Sequence, residues 1–170
     1  MEPGPLDKLT TLDIPTTLRI CAGTDGSVTY LLEVMTKHQV DVVTSIQEVG
    51  EATEAEAKLL GIRQNDPVNH REVVLKVSGK PYVFARSLAP IDLMPGGMKA
   101  DLIRADIPIG RILRKYKFET RRDILNIVML KGEGVFSGVP VLSREYNIIH
   151  GGRVLMWINE QFPVDDRWEL

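Results

Sequence analysis

The sequence has few of the residues from which disulfides, metal sites and cofactor sites are built. Its one cysteine, Cys21, excludes an internal disulfide, favours a reducing compartment and is interpreted as a small buried hydrophobic residue. Its three histidines, His38, His70 and His150, lie far apart without ligand-like spacing, so we predict no metal site. No Walker pattern, phosphate-cradling glycine loop or Gly-x-Ser-x-Gly elbow occurs, and we expect no bound cofactor.

The chain also lacks an excess of basic charge and a long apolar run. The 21 lysines and arginines against 23 acidic residues give a net charge of −2, which does not indicate a nucleic-acid partner. The basic run 115–122 is interpreted as a solvated face. No apolar run could span a membrane, and residues 1–5 lack the features of a signal peptide. We therefore expect a cytoplasmic protein that binds neither nucleic acid nor a membrane. Composition leaves its oligomeric state open.

What is present is ordinary globular composition, with 44% hydrophobic and 26% charged residues, in a length that suits one domain. Prolines and glycines interrupt the first two dozen residues. We predict a loose N-terminal arm over 1–26 with room for one short helix, a single domain over 27–165, and a short charged tail over 166–170.

Local patterns predict an α+β fold. Ser27 is a plausible N-cap for a helix ending near Lys37, and Thr53 with Glu56 has the spacing of a capping box for a helix ending at Gly61. The remaining patterns predict a strand over 40–49, a hairpin of 68–77 with 81–89, a loop over 92–98 followed by a short helix, a helix over 108–116, a strand over 118–130, and a hairpin of 143–149 with 154–162. Because hairpins dominate, we expect one mostly antiparallel sheet of about six strands, covered by helices.

The first hairpin turns at Ser78-Gly79. A two-residue turn with no bulge places Arg71 opposite Arg86 on a largely apolar face. Like charges directly opposite each other are unfavourable. Burying either arginine without a partner costs on the order of several kcal/mol. A carboxylate of a ligand or of the protein should therefore offset them, unless one arginine extends to solvent. A bulge would reverse the faces.

The last hairpin carries an acid at the end of an apolar stripe. With a two-residue turn at 151–152, Val154, Met156, Ile158 and Glu160 share a face, and Ser143 lies opposite Glu160. One interpretation is a structural ion pair between Glu160 and an arginine. The other is an acid that handles a proton or binds a hydroxyl group beside an anion site.

A third candidate lies at the start of the predicted helix, in Asp106-Ile107-Pro108-Ile109-Gly110-Arg111. Proline suits the first turn of a helix, where the N–H groups of Ile109 and Gly110 would be open to an anion. Gly110 would also let a ligand approach the backbone closely, and we count it among the candidate ligand-binding residues. Most helix starts bind only water.

Four segments carry a resemblance to a known family: Leu32–Lys37, Arg71–Arg86, Ile107–Arg111 and Ile158–Pro163. Their order and spacing resemble the chorismate lyase family, including its archaeal branch, over roughly 26–163. The resemblance implies one twisted antiparallel sheet with helical flaps closing over an internal cavity. It also implies removal of pyruvate from chorismate to leave 4-hydroxybenzoate, with no cofactor or metal.

The resemblance implies roles for individual residues. Arg71 matches the family's carboxylate-binding arginine, and Glu160 matches the acid that meets the ring hydroxyl. Ile109, where the family more often has leucine, matches a flap residue whose N–H contacts the carboxylate. Met35 matches a residue of the other flap, and Arg86 matches a second arginine on the cavity side. Asn159 stands where the bacterial enzyme has threonine.

Two alternatives stay open. The ligand domains of GntR/HutC-type regulators are similar in fold, so the chain could bind a small carboxylate without catalysis. Such domains normally follow a DNA-binding domain, and fewer than 30 residues precede the resembling region here, so we expect no such domain. A related lyase that forms a different hydroxybenzoate isomer would differ only in its product.

Overall fold

A computed structural model of the chain describes residues 4–104 and 107–170; Asp106 of the predicted helix start lies outside them. Its strands form one six-stranded antiparallel sheet in the order β1-β2-β3-β6-β5-β4, which confirms the predicted fold class. The strands are β1 Val40–Glu51, β2 Pro67–Val77, β3 Lys80–Pro90, β4 Arg121–Lys131, β5 Pro140–His150 and β6 Arg153–Pro163. The α-helices are α1 Thr16–Gly23, α2 Val28–Thr36, α3 Glu54–Leu60, α4 Gly96–Ile103 and α5 Ile109–Lys115.

The predicted helix caps are present. The Ser27 hydroxyl accepts the Tyr30 N–H at the start of α2, at 3.2 Å. At the start of α3, the Thr53 hydroxyl accepts the Glu56 N–H and the Glu56 carboxylate accepts the Thr53 N–H, which is the reciprocal pair of a capping box. Gly61 ends α3 with a φ of 67°, a conformation that costs glycine little.

Both hairpin turns have two residues, as predicted, and all four turn residues have positive φ. The values are 49° and 80° at Ser78-Gly79, and 56° and 75° at Gly151-Gly152. Positive φ at both central residues is typical of the turn whose twist matches that of the strands it joins.

The predicted register of the first hairpin is wrong beyond its turn. A bulge leaves Tyr82 without an opposite residue, so each later pairing is displaced by one position. Arg71 lies opposite Ser87, and Arg86 lies opposite Glu72. Because strand side chains alternate between faces, Arg71 and Arg86 project from opposite faces of the sheet.

The last hairpin contains a similar bulge. Leu155 is the extra residue, so Met156 pairs with Ile148, and Glu160 pairs with Arg144 instead of the predicted Ser143. The bulge also takes Val154 off the predicted stripe, and its side chain packs with the α3 cluster on the other side of the sheet.

Four helices, α1, α2, α4 and α5, cover the inner face of the sheet, and α3 packs on the outer face. Cys21 is fully buried in the inner core, as predicted. The same core includes Leu18 from the predicted arm and Trp168 from the predicted tail. The boundaries at 26 and 165 stay a prediction. Among the described helices, none has both the length and the apolar character needed to cross a bilayer.

Candidate functional site

A cavity lies between the inner face of the sheet and the starts of α2 and α5. The empty space in and in front of it is about 560 Å³, a volume that includes open solvent. Strands from both hairpins form its floor, and the two helix starts form its roof. Its lining includes Ser27, Arg71, Ala85, Ser87, Ile109, Gly110, Arg122, Tyr146, Ile158 and Glu160. Apolar walls with a few inward-facing polar groups are typical of small-molecule sites.

Arg71 contributes an almost completely buried cation to this cavity. Its side chain leaves the inner face of β2 and is 2% exposed. Its Nη2 donates a hydrogen bond to the Ile107 carbonyl at 2.9 Å, just before α5. Arg71 therefore links the floor of the cavity to the segment that carries Ile109 and Gly110.

Glu160 lines the cavity from β6 and is held by its neighbours on β5. Arg144 Nη2 and Nε donate to Glu160 Oε2 at 2.6 and 3.1 Å. The Tyr146 hydroxyl donates to Oε1 at 3.0 Å. Three donors thus fix the orientation of the carboxylate, and such charge-assisted bonds are among the strongest in proteins.

Arg144 is fully buried and also binds the end of α1. Its Nη1 donates to the carbonyls of Cys21, Ala22 and Thr24 at 3.2, 2.9 and 2.8 Å. A cation is favourable there because the last carbonyls of a helix carry partial negative charge. Burial is the largest single influence and opposes the charged form of Arg144. Glu160, Tyr146 and Cys21 together outweigh it and raise the pKa of the guanidinium above its ordinary value.

Tyr146 and Cys21 stay protonated beside this pair. Burial first, and the charge of Glu160 second, raise the pKa of Tyr146 well above its ordinary value. The same two causes raise the pKa of Cys21 to about 12. Tyr146 is therefore a stable hydrogen-bond donor to Glu160, and Cys21 is a poor nucleophile.

The roof closes where α2 meets α5. Gly110 sits so close to the N-cap of α2 that a Cβ atom there would lie 2.8 Å from the Ser27 hydroxyl oxygen. The next residue of α5, Arg111, donates from its Nη2 to Oε1 of Glu33 on α2 at 2.5 Å. A side chain at 110 would therefore displace the Ser27 hydroxyl from its position at the cap of α2, and a salt bridge also joins the two helices.

The structure brings together four of the six predicted site residues. Arg71, Glu160, Ile109 and Gly110 all line the cavity. Met35 does not; it lies near the far end of α2, beside His38 and packed against the main core.

The predicted position of Arg86 on the cavity side is wrong. Its Nε donates to Glu72 Oε1 at 2.9 Å on the outer face, and its side chain is 57% exposed. The bulge at Tyr82 is the physical reason, since it reverses the faces of β3. Asn159 donates to the Ser143 hydroxyl at 2.8 Å, outside the cavity lining.

Sequence reasoning missed Arg144, Tyr146 and Arg122. A signal for the first two existed, because Leu142, Arg144, Tyr146 and Ile148 alternate along β5 as an inward-facing stripe. An arginine within an apolar stripe predicts a buried partner. Arg122 belongs to the run interpreted as a solvated face, and its position on the inner side of β4 was not visible in that pattern.

An antiparallel sheet covered by helices is also the fold of the ligand-binding domains of GntR-type regulators. The effector domain of PhnF from Mycobacterium smegmatis superposes with a TM-score of 0.64, at 15% sequence identity, over 81% of this chain and 88% of that domain. A ligand-binding domain from Bordetella bronchiseptica gives a TM-score of 0.61 at 15% identity, over 74% and 86% of the two chains. At such identities the likeness shows the fold alone.

Sequence comparison is more specific. The family model described as Chorismate pyruvate-lyase Rv2949c-like matches residues 23–169, and the chain belongs to this family. A Methanocaldococcus jannaschii protein provisionally named as a lyase is 36% identical over 159 residues, which cover 86% of this chain and 77% of that protein. The chorismate pyruvate-lyase of Mycobacterium tuberculosis H37Rv is 25% identical over 174 residues, covering 90% and 87% of the two chains.

Proposed function

We propose that this protein eliminates pyruvate from chorismate and leaves 4-hydroxybenzoate, without a cofactor. The observation that carries the proposal is a cavity in which a nearly buried arginine, Arg71, and an oriented carboxylate, Glu160, face the same enclosed space. Family membership names the class of reaction. The substrate, the product and the residue roles are the proposal.

Arg71 binds the ring carboxylate of the substrate in this proposal. A guanidinium can donate two parallel hydrogen bonds to a carboxylate, and the Ile109 N–H at the start of α5 adds a third donor. Each hydrogen bond to a charged group contributes about 1.5–3 kcal/mol. Since Arg71 also binds the Ile107 carbonyl, a ligand on Arg71 would be in contact with both the floor and the flap.

Glu160 handles the proton of the ring carbon that carries the hydroxyl group. The reaction breaks the ether C–O bond of the ring, and the ring carbon that carries the hydroxyl group loses its proton. The electron pair of that C–H bond completes the aromatic ring. The departing enolpyruvate takes up a proton to become pyruvate. Glu160 would bind the hydroxyl group and assist removal of the proton, while Arg144 and Tyr146 hold its carboxylate in place.

The protein otherwise supplies orientation and exclusion of water. Aromatisation provides the driving force, so the reaction gains chiefly from holding the substrate in a reactive geometry. The contacts of Gly110 with Ser27 and of Arg111 with Glu33 close the roof over that geometry. We also propose that product release limits turnover, because a product must pass this closed roof.

Incubation with chorismate tests the proposal directly. Product should appear above the uncatalysed rate and chromatograph as 4-hydroxybenzoate together with an equal amount of pyruvate. Arg71→Ala should weaken binding of 4-hydroxybenzoate by roughly 10-fold or more, by the energies above. Arg86→Ala is the matched control, because that arginine lies on the outer face, and it should change neither quantity. A different isomer would correct the product alone.

A sensor without catalytic activity is the second candidate, favoured by the fold shared with GntR-type effector domains. It predicts binding of chorismate or a hydroxybenzoate in calorimetry, with conversion of chorismate no faster than the uncatalysed rate. Conversion abolished by Glu160→Gln, with ligand binding retained, would reject the sensor and support the lyase.

A further inference from the structure

A second cation, Arg122, reaches the cavity from the edge of the sheet. It lies on the inner side of β4, opposite Ile148 of β5. Its Nη1 donates to the Asp25 carbonyl at 2.9 Å, and its guanidinium carbon lies 5.8 Å from the centre of the Tyr146 ring. These two contacts hold the guanidinium beside the group that orients Glu160.

One donor of Arg122 is buried without a hydrogen-bond acceptor among the described residues. Among the described residues, its Nε has no hydrogen-bond partner although it is shielded from solvent. Buried polar groups in folded proteins are almost always satisfied, so an unpaired donor in a cavity wall is a position for a ligand acceptor. Arg122 also lines the adjoining surface groove, which contains Arg114 and Lys117. It therefore lies where the cavity meets a basic surface.

Arg71 and Arg122 mark opposite ends of the cavity. Arg71 is on β2 and Arg122 is on β4, four inter-strand steps apart in the sheet order. At about 4.8 Å a step their backbones lie roughly 19 Å apart along a flat sheet, and both side chains project toward the space between them. Ile158, Ala85 and Glu160 form the floor of that interval.

We propose that Arg122 binds a second carboxylate of the ligand, so that the cavity selects dicarboxylates whose two acids are separated by a ring. The inference rests on the proposed function, since chorismate carries one carboxylate on its ring and another on its enolpyruvyl group. When the ether bond breaks, one carboxylate stays with the aromatic product on Arg71. The other leaves with pyruvate from Arg122, next to the basic groove. Arg122 thus distinguishes substrate from product.

Titration calorimetry with two probes tests this assignment. The dianion 3-(carboxymethoxy)-4-hydroxybenzoate carries a ring carboxylate and an ether-linked carboxylate and cannot undergo the elimination; 4-hydroxybenzoate is the monoanion. Arg122→Met should weaken binding of the dianion about 10- to 100-fold, the equivalent of one charge-assisted contact, and change binding of the monoanion less than about twofold. Arg122→Lys should recover part of the loss.

Arg86→Met is the matched control, since it removes one positive charge from the outer face of the same sheet. It should leave the affinities for both probes unchanged. The control thus shows whether the effect of Arg122→Met comes from loss of a contact with the ligand or from the change in net charge of the protein. Equal weakening of both probes by Arg122→Met and Arg122→Lys, or no weakening of either, overturns the role of Arg122. If the unaltered protein converts chorismate but the ratio of the two affinities is the same in the Arg122 variants as in the unaltered protein, this inference alone fails. If the unaltered protein binds neither probe, the proposed function fails with it.

Discussion

Each of the two hairpins contains a cross-strand arginine–glutamate pair, and the two pairs lie on opposite faces of the sheet. Arg144 lies opposite Glu160 across β5 and β6, and Arg86 lies opposite Glu72 across β2 and β3. Their shortest N–O distances are similar, 2.6 and 2.9 Å. The arginine side chain is 0% exposed in the first pair and 57% exposed in the second.

The surroundings of these pairs, and not their geometry, decide what each one does. An exposed pair exchanges water for its partner at little gain, typically about 0–1 kcal/mol. A buried pair has lost its water, so removing one partner leaves an uncompensated charge and costs about 3–5 kcal/mol. The inner pair therefore constrains the structure of the cavity, and the outer pair is a surface contact.

The largest effect is expected from Arg144→Met. It leaves Glu160 with the Tyr146 hydroxyl as its remaining donor and removes the donor shared by three carbonyls at the end of α1. The free energy of unfolding should fall by about 3–5 kcal/mol in urea titrations. The double variant Arg144→Met with Glu160→Met should recover part of that loss. Losses that simply add would show that the two residues do not stabilise each other.

A large effect on activity is expected from Glu160→Gln. The amide is nearly the same size but cannot accept the substrate proton, and chorismate turnover should fall about 10²- to 10⁴-fold. The loss of stability should be smaller than for Arg144→Met, because an oxygen acceptor remains. Unchanged turnover in the folded variant would remove Glu160 from the mechanism.

Tyr146→Phe should have an intermediate effect, about 1–3 kcal/mol, since it removes a buried donor to Glu160. Because the pKa of Tyr146 is raised in the folded state, its contribution to stability is complete below the ordinary tyrosine pKa and is lost as the pH rises toward the folded value. The stability of the unaltered protein should thus fall more steeply above pH ~10 than that of Tyr146→Phe. Parallel curves from unfolding measured at each pH would contradict this.

The smallest effect is expected from Arg86→Met. Loss of an exposed pair should cost less than about 1 kcal/mol and even less at high salt. A loss as large as that of Arg144→Met, measured in the same urea titrations, would mean that burial does not separate the two pairs.

The sequence predicted elements and turns well because their signals are local. Ser27, Thr53 with Glu56, and the two glycine-containing turns each act within a few residues. The two bulges gave no such signal. Tyr82 and Leu155 are ordinary strand residues, and a single extra residue displaces all later pairings.

That displacement decided how far the site could be predicted. Arg71 and Glu160 lie on the face expected for them, whereas Arg86 lies on the opposite one. The partners of Glu160 could not be identified without the bulge, because an unbroken register places Ser143 opposite it. The position of Arg122 in the cavity depends on the register between β4 and β5, which no local pattern records.

The hydrogen bonds of Arg144 to the end of α1 also have a consequence for the order of folding. They join residues 120 to 123 positions apart, whereas Arg144 and Glu160 are only 16 apart in one hairpin. Contacts between distant parts of a chain form at a high entropic cost and late in folding. During synthesis, α1 must wait for most of the chain before it meets Arg144. The arginine that holds the cavity-facing carboxylate therefore gains its other partners only when the first helix and the last hairpin have docked.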